Sequence, residues 1–469
     1  MKTITQMRLL CLCDGFVFAE NASKSLLLAQ NYRIWYNKKR MWKRGETVAK
    51  KLLYLLAVCC LFCGCAAQPV VEELLRAPQL SAQLSIVQKA LNSYLGESAQ
   101  LKYPRTGTIS SPFLFGDLNG DGKEEAVVLY QSESKGLNVH IAVLEQNATD
   151  WVVTQEIEGP STDVESVSQA NLQDGKGNEL VILYSAPAKG TEDYLAVYSY
   201  YDKTLKEKSL WPCMGYLLED ITGSGNDDLV MIRRQDNQLS ATILTGSEGE
   251  LKMLPDLPLD QRFVSCEGLL YSSKNDSRYI VVDGLDQSGY MISELISYNP
   301  QTSQLYQYTT NGMEDIVAQT ARLKPGLYSA DINQDGVVEI PIVEKEITTV
   351  NSARRLSFIT WRDFTRKSNT IVQFGVLDME YGFFLRLPIA WMDEIAVVDG
   401  LVTNSWQVCN KDGTQSYIDV VVYNKEKELP PILKDYQQAS FIGKNRLMIK
   451  TNPVYLEQNE IIMKGIYLL

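Results

Sequence analysis

One arrangement of polar and apolar positions recurs along this chain. A polar, glycine-bearing loop comes first. A short apolar run follows it, and then two alternating segments joined by a turn. The apolar runs are AVVLY (126–130), LVILY (180–184), LVMI (229–232), YIVV (279–282) and IPIV (340–343). Uninterrupted apolar runs of this length, bounded by turn residues, read as strands covered on both faces, whereas alternating segments read as half-buried strands. The alternating pairs include HIAVLEQNATDWVVTQEI, YLAVYSYYDKTLKEKSL and LSFITWRDFTRKSNTIVQF, with Asn, Asp, Gly, Pro and Ser at the turns.

The loops begin at Asp117, Asn171, Asp220, near Ser273 and at Asp331, spaced 54, 49, about 53 and about 58 residues. A period near 50 residues signals a repeat architecture. Counting the strand before each loop, every unit offers four short strands. Such units arranged radially make a β-propeller, which leaves only short protected edges. The expected fold is therefore mainly β: a five-bladed propeller over residues 105–372, followed by a small α+β domain over 373–469. Six blades is the alternative, if the first strands after 373 form another blade. Residues 66–104 read as a tether and a short helix. In AQLSIVQKALNSYL (82–95), Leu84, Val87, Leu91 and Tyr94 share one face.

Residues 1–65 read as a signal region. LLYLLAVCCLFCGC (52–65) is too short to cross about 30 Å of hydrocarbon at about 1.5 Å per residue. It suits the apolar segment of a secretion signal, with the basic stretch MWKRGETVAKK before it. Met41 is the expected translation start, a genuine leader over 1–40 being the alternative. The segment ends Leu61-Phe62-Cys63-Gly64-Cys65-Ala66 and resembles a bacterial lipobox. That resemblance implies lipidation of Cys65 and anchoring outside the cytoplasm, on the bacterial cell membrane. An ordinary cysteine-rich signal peptide is the alternative.

Charge narrows the partners. Residues 1–65 hold 11 of the 45 Lys+Arg and 3 of the 57 Asp+Glu, which leaves −20 on the rest. So acidic a chain does not track nucleic acid, and it suits divalent cations. Beyond Cys65 the cysteines are Cys213, Cys266 and Cys409, without the close spacing of a zinc site or disulfide framework, and they read as small buried apolar residues.

The loops carry the candidate chemistry. From Asp117, alternate positions hold Asp117, Asn119, Asp121, Lys123 and Glu125. Calcium takes six to eight oxygens. Alternate side chains on a tight turn can supply them, helped by the Lys123 carbonyl and a hinge at Gly122. The second strong copy offers Asp331, Asn333, Asp335, the Val337 carbonyl and Glu339. A weaker one offers Asp220, Thr222, Ser224 and Asp228. At 171–179 only Glu179 remains as a carboxylate at these positions, so that loop reads as metal-free. The ninth-position acid and flanking strands exclude an EF-hand. This pattern, with its period, resembles the FG-GAP/VCBS repeats of integrin-type propellers. The resemblance implies structural Ca²⁺ in the strong loops.

Catalytic signatures are sparse. The single histidine, His140, lies in an alternating strand, where a packed role is the default; this disfavours Ser–His and Cys–His systems. No phosphate-binding, dinucleotide-binding or zinc-hydrolase motif occurs. Paired carboxylates leave no local signature, so an extracellular glycosidase-type hydrolase stays as the alternative reading. The first reading is a surface-anchored binding or scaffolding module for an unknown protein or glycan ligand. Trp211, Trp361, Trp391 and Trp406 are candidate sugar-stacking rings, with core packing as the default.

Overall fold

The run after each loop forms a strand because its apolar side chains are covered from both sides. Glu125–Ser132, Glu179–Tyr184, Asp228–Gln235 and Ser277–Leu285 bury most of their residues on both faces. Fully burying one Val or Leu stabilises by about 1.5–3 kcal/mol. These strands are therefore the hydrophobic centre of each unit. The hairpins after them close on residues with positive φ, such as Asp202 (48°) and Lys203 (57°), or Asp236 (47°) and Asn237 (69°). Asp and Asn tolerate this conformation best among non-glycine residues, and two-residue hairpin turns require it.

The computed structural model describes residues 82–148, 150–173, 177–186, 192–247, 250–274, 277–309, 315–323, 327–348, 355–365, 370–455 and 462–468. The start-site, signal and Cys65 readings lie outside these. The chain from 81 to 469 is one compact unit, mainly β, with six antiparallel sheets among the described residues. Each of the first four holds the strand before a loop, the strand after it, and a hairpin pair. The first has Phe113–Gly116, Glu125–Ser132, Gly136–Asn147 and Asp150–Glu158, with Gln100–Leu101 added at its edge. The second has Val164–Ala170, Glu179–Tyr184, Asp193–Tyr201 and Thr204–Cys213. The third is built on Gly215–Glu219, Asp228–Gln235, Gln238–Ser247 and Glu250–Met253. The fourth is built on Ser265–Lys274, Ser277–Leu285, Tyr290–Asn299 and Gln304–Gln307.

The fifth sheet departs from the sequence reading. It orders Ile340–Ile347, Leu356–Asp363, Thr370–Asp378, Phe383–Leu387 and the C-terminal strand Ile466–Leu468. The strand expected before its loop shrinks to one bridge, Ala330 to Glu339. The expected boundary between 372 and 373 thus falls inside the strand Thr370–Asp378. The sixth sheet takes Ile395–Asp399, Ser405–Asn410, Ser416–Asn424, Asn445–Thr451 and Gln437–Ile442. The short helix expected in ELPPILKDYQQA is a single 3-10 turn at Pro431–Leu433, and its end begins the strand Gln437–Ile442. Pro430 and Pro431 pin φ and remove amide donors, which favours so short a turn.

Consecutive sheets pack face to face. Val127 and Ile141 of the first meet Ile182 and Tyr198 of the second. Val181 and Leu195 meet Leu229 and Met231 of the third. Val230 and Ile243 meet Ile280 and Ile292 of the fourth. Val281 and Leu295 meet Ile340 and Ile342 of the fifth. Phe374 and Leu385 meet Val408 and Val420 of the sixth. Alternation along each strand sends successive side chains to opposite neighbours, which is why the central strands are apolar throughout. The helix Ala82–Leu95 buries Val87 and Leu91 and contacts Asp150–Glu158, while Tyr94, expected on the same face, is exposed.

Candidate functional site

The acid loops fold around their own amides. In the first, Asp117 Oδ1 accepts from the N–H groups of Gly120 (2.7 Å) and Asp121 (3.1 Å), and Oδ2 from Gly122 (2.8 Å). Asn119 Oδ1 accepts from Asp121 N–H, and Asp121 Oδ1 from Lys123 N–H, both at 2.8 Å. The fifth loop repeats this. Asp331 accepts from Asp335 (3.0 Å) and Gly336 (2.9 Å), Asn333 from Asp335 (2.9 Å), and Asp335 from Val337 (3.0 Å). Gly122 (φ 81°) and Gly336 (φ 85°) supply the left-handed turn. In the third loop Asp220 holds Gly223 (2.7 Å) and Gly225 (3.2 Å).

The ninth-position acid is the anchor. Glu125, Glu179, Asp228 and Glu339 are all buried. Glu125 accepts from Leu118 N–H at 2.9 Å, Glu179 from Leu172 N–H at 3.0 Å, and Glu339 from Ile332 N–H at 3.1 Å. Asp228 accepts from Thr222 N–H at 2.6 Å. Burial pushes the Glu125 and Glu339 carboxyls up to about 7, aided by the neighbouring Asp carboxylates, and burial also raises Asp228.

The loops also reach one another. The N–H of Asn178 donates to the Asp117 carbonyl at 2.9 Å, and that of Asp227 to the Asn171 carbonyl at 2.9 Å. Asn171 N–H donates back to Asp227 Oδ2 at 2.9 Å. Ser273 N–H donates to the Gly336 carbonyl at 3.0 Å, and Val338 N–H to Ser272 Oγ at 3.0 Å. The fourth unit, which lost its acids, supplies cations instead. Arg278 Nη2 lies 3.8 Å from Asp220 Oδ2, and Lys274 Nζ lies 3.9 Å from Asp335 Oδ2 and 3.3 Å from Asp363 Oδ2. Sequence reading placed each loop within its own unit and missed these partners. The only available signal was the basic pair Lys274 and Arg278 that ends the run KNDSR in an otherwise acidic chain.

The approach to the fifth loop is fixed by a buried network. Arg322 Nη2 meets Asp283 Oδ1 at 3.1 Å, and Ser329 N–H donates to Asp283 Oδ2 at 2.7 Å. Removing one partner of such a pair leaves an uncompensated buried charge.

The donor set suits a hard cation in type: carboxylates, an amide oxygen and carbonyls. As placed, however, the carboxylates aim at loop amides. Among the described residues no three His, Cys, Asp or Glu groups converge to hold a metal ion. A carboxylate oxygen offers two lone pairs, so Asp117 Oδ2, with its one amide bond, keeps one free, while Asp117 Oδ1 already accepts two. Asp121 Oδ2 is 4.0 Å from Lys123 Nζ on the exposed side of the loop.

Other candidates resolve readily. His140 is buried, its Nδ1 3.1 Å from Glu156 Oε1 and its ring tilted on Tyr130 at 5.5 Å. Trp406 is a core ring donating to Asp378 Oδ2 at 3.1 Å, and Trp361 is buried between Ile359 and Phe384. Trp211 packs between the second and third sheets. Trp391 is half-exposed. Cys213, Cys266 and Cys409 are free thiols, and burial pushes the first two up to about 12, as inert apolar residues require. Among the described residues no helix is long and apolar enough to cross a membrane.

No family model matches this chain, and no curated protein does. A solved structure titled "Hypothetical protein from leishmania major" is similar over 58% of this chain and 89% of that one, at 9% identity and a TM-score of 0.22, a likeness too slight to inform fold or function.

Proposed function

We propose that this chain is a lipid-anchored, calcium-braced β-propeller that serves as a binding or scaffolding module outside the bacterial cytoplasm. The observation that carries this reading is the line of acid loops. Each ties a strand to its own sheet, and the first, second, third and fifth also bond through the backbone to a neighbouring sheet. Calcium in the first loop would be held by Asp117, Asn119, Asp121, Glu125 and the Lys123 carbonyl. In the fifth it would be held by Asp331, Asn333, Asp335, Glu339 and the Val337 carbonyl. Its chemistry there is neutralisation of clustered carboxylates, not catalysis. Glu125 and Glu339 are already bonded to loop amides, and the other loop acids are engaged likewise, which disfavours a hydrolytic pair among them.

The anchor reading rests on Cys65 at the end of the apolar segment. A single acyl chain binds membranes only marginally, whereas two or more hold stably. Cells making the full chain should carry it in the membrane fraction, and Cys65→Ser should release it or leave it unprocessed. The purified protein, immobilised, should retain envelope glycans or proteins without generating new reducing ends. Turnover of any retained glycan would replace the binding reading with the hydrolase.

A further inference from the structure

The fifth and sixth sheets leave a recess of about 800 Å³ between them. Its walls come from the edge strand Ile340–Ile347 of one sheet and the edge strand Ile395–Asp399 of the other. Pockets of this size accommodate a small-molecule ligand. The floor is apolar: Phe358 and Phe374 stack at 5.6 Å with 20° between their planes, beside Ile395. The rim is polar and exposed, with Lys345, Glu346, Asp393 and Lys411. Glu344 also lines it, but Arg362 and Thr360 bind its carboxylate. The rim thus offers two ammonium donors and two carboxylate acceptors without net charge.

A second observation adjoins the first. Met392 lines the recess, and Trp391 before it belongs to a half-exposed aromatic cluster. Its ring lies 5.2 Å from Tyr417 and 5.6 Å from Tyr455, and those two lie 4.3 Å apart. Half-exposed rings with polar tips present an apolar face and a wet edge together.

We propose that this recess binds a neutral, hydroxyl-rich ligand the size of a short oligosaccharide. A rim carrying both donors and acceptors matches hydroxyl groups, which both donate and accept. Balanced rim charge gives no field for a polyanion or polycation. The half-buried Phe358 ring, backed by the buried Phe374, fits the apolar face of a sugar ring. The inference deepens the binding-module reading and rests on it for its biological sense, while the recess lies apart from the acid loops.

The test is calorimetric titration of the protein with neutral tetrameric and hexameric gluco-, xylo-, manno- and chito-oligosaccharides, beside anionic oligogalacturonate and cationic chitosan oligomers. At least one neutral oligomer should bind, with a dissociation constant between about 10 μM and 1 mM. Glu346→Ala, Asp393→Asn and Lys411→Met should each weaken it about tenfold, as loss of a charge-assisted hydrogen bond does, with melting temperature unchanged. No neutral oligomer binding at about 10 mM, binding only of the charged oligomers, or rim variants that bind like the parent would overturn the inference. Measuring the parent protein's melting temperature with Ca²⁺ and with chelator beside the titration separates the two ideas: oligosaccharide binding without a calcium response sinks only the loop reading, and a calcium response without oligosaccharide binding sinks only the recess.

Discussion

Two glycines with the same backbone conformation predict different costs. Gly122 (φ 81°) and Gly177 (φ 83°) both sit in loops where an L-residue is strained. An added Cβ at Gly122 meets nothing within 4 Å. At Gly177 it would lie 2.6 Å from Gly120 N and from the Leu118 carbonyl, which are backbone atoms of the preceding loop. Left-handed strain alone costs about 1–2 kcal/mol. Overpacking against backbone adds about 1–3 kcal/mol. Gly122→Ala should therefore destabilise by about 1–2 kcal/mol, and Gly177→Ala by roughly 2–5 kcal/mol. Urea unfolding followed by tryptophan fluorescence, in chelator, measures both. If the two variants agree within about 0.5 kcal/mol, the loops do not seat on one another and the cross-sheet account fails.

Burial pushes the Glu294 carboxyl up to about 7, while Asp260 N–H donates to it at 2.9 Å. The folded protein then binds this proton more tightly than the unfolded chain, so its contribution is present below about pH 4.5 and is lost as pH rises to about 7. Glu294→Gln should flatten that fall and stabilise the protein at pH 8 by about 3 kcal/mol in chemical denaturation; an unchanged pH profile would remove Glu294 as the cause. Arg278→Met should alter stability in chelator by less than about 1 kcal/mol, as half-exposed ion pairs do. It should also raise the calcium stoichiometry by freeing Asp220, and an unchanged stoichiometry would mean that Arg278 does not guard the third loop. A fragment ending at residue 372 should be insoluble, because it cuts Thr370–Asp378 and strips the fifth sheet of two further strands; a folded, soluble fragment would contradict the continuity of that sheet.

Much of the architecture could be read from local pattern. AVVLY and LVILY announce strands covered on both faces, and the strand–loop–strand–hairpin order is present in each of the first four sheets, three of which add one further short strand. The C-terminal fifth of the chain was less legible. Its strands pair across long intervals, so that Ile466–Leu468 returns to Phe383–Leu387, and no local signal encodes such pairing. The acid at position nine was legible as a ligand type. Its burial was not, because that depends on the neighbouring sheet, and its bond back to the second-position amide exists only once the loop has folded. The same holds for Lys274 and Arg278, whose partners lie in other units. Trp406 follows the default reading: its ring is core, and Asp378 satisfies its N–H.

The central claim is that calcium braces these sheets, and the melting temperature of chelated protein with and without Ca²⁺ tests it most directly. Extracellular calcium modules bind at about 10⁻⁴–10⁻³ M. At about 2 mM Ca²⁺ each occupied loop should then add roughly 0.7–1.8 kcal/mol. The account predicts a clear rise with Ca²⁺ and a smaller one with Mg²⁺, which holds its waters and demands a tighter octahedron. Asp121→Ala and Asp335→Ala should each remove part of the rise and together most of it, while Asn171→Ala leaves it intact. A melting temperature indifferent to both Ca²⁺ and chelator would contradict the account and leave the loops as amide-capped turns.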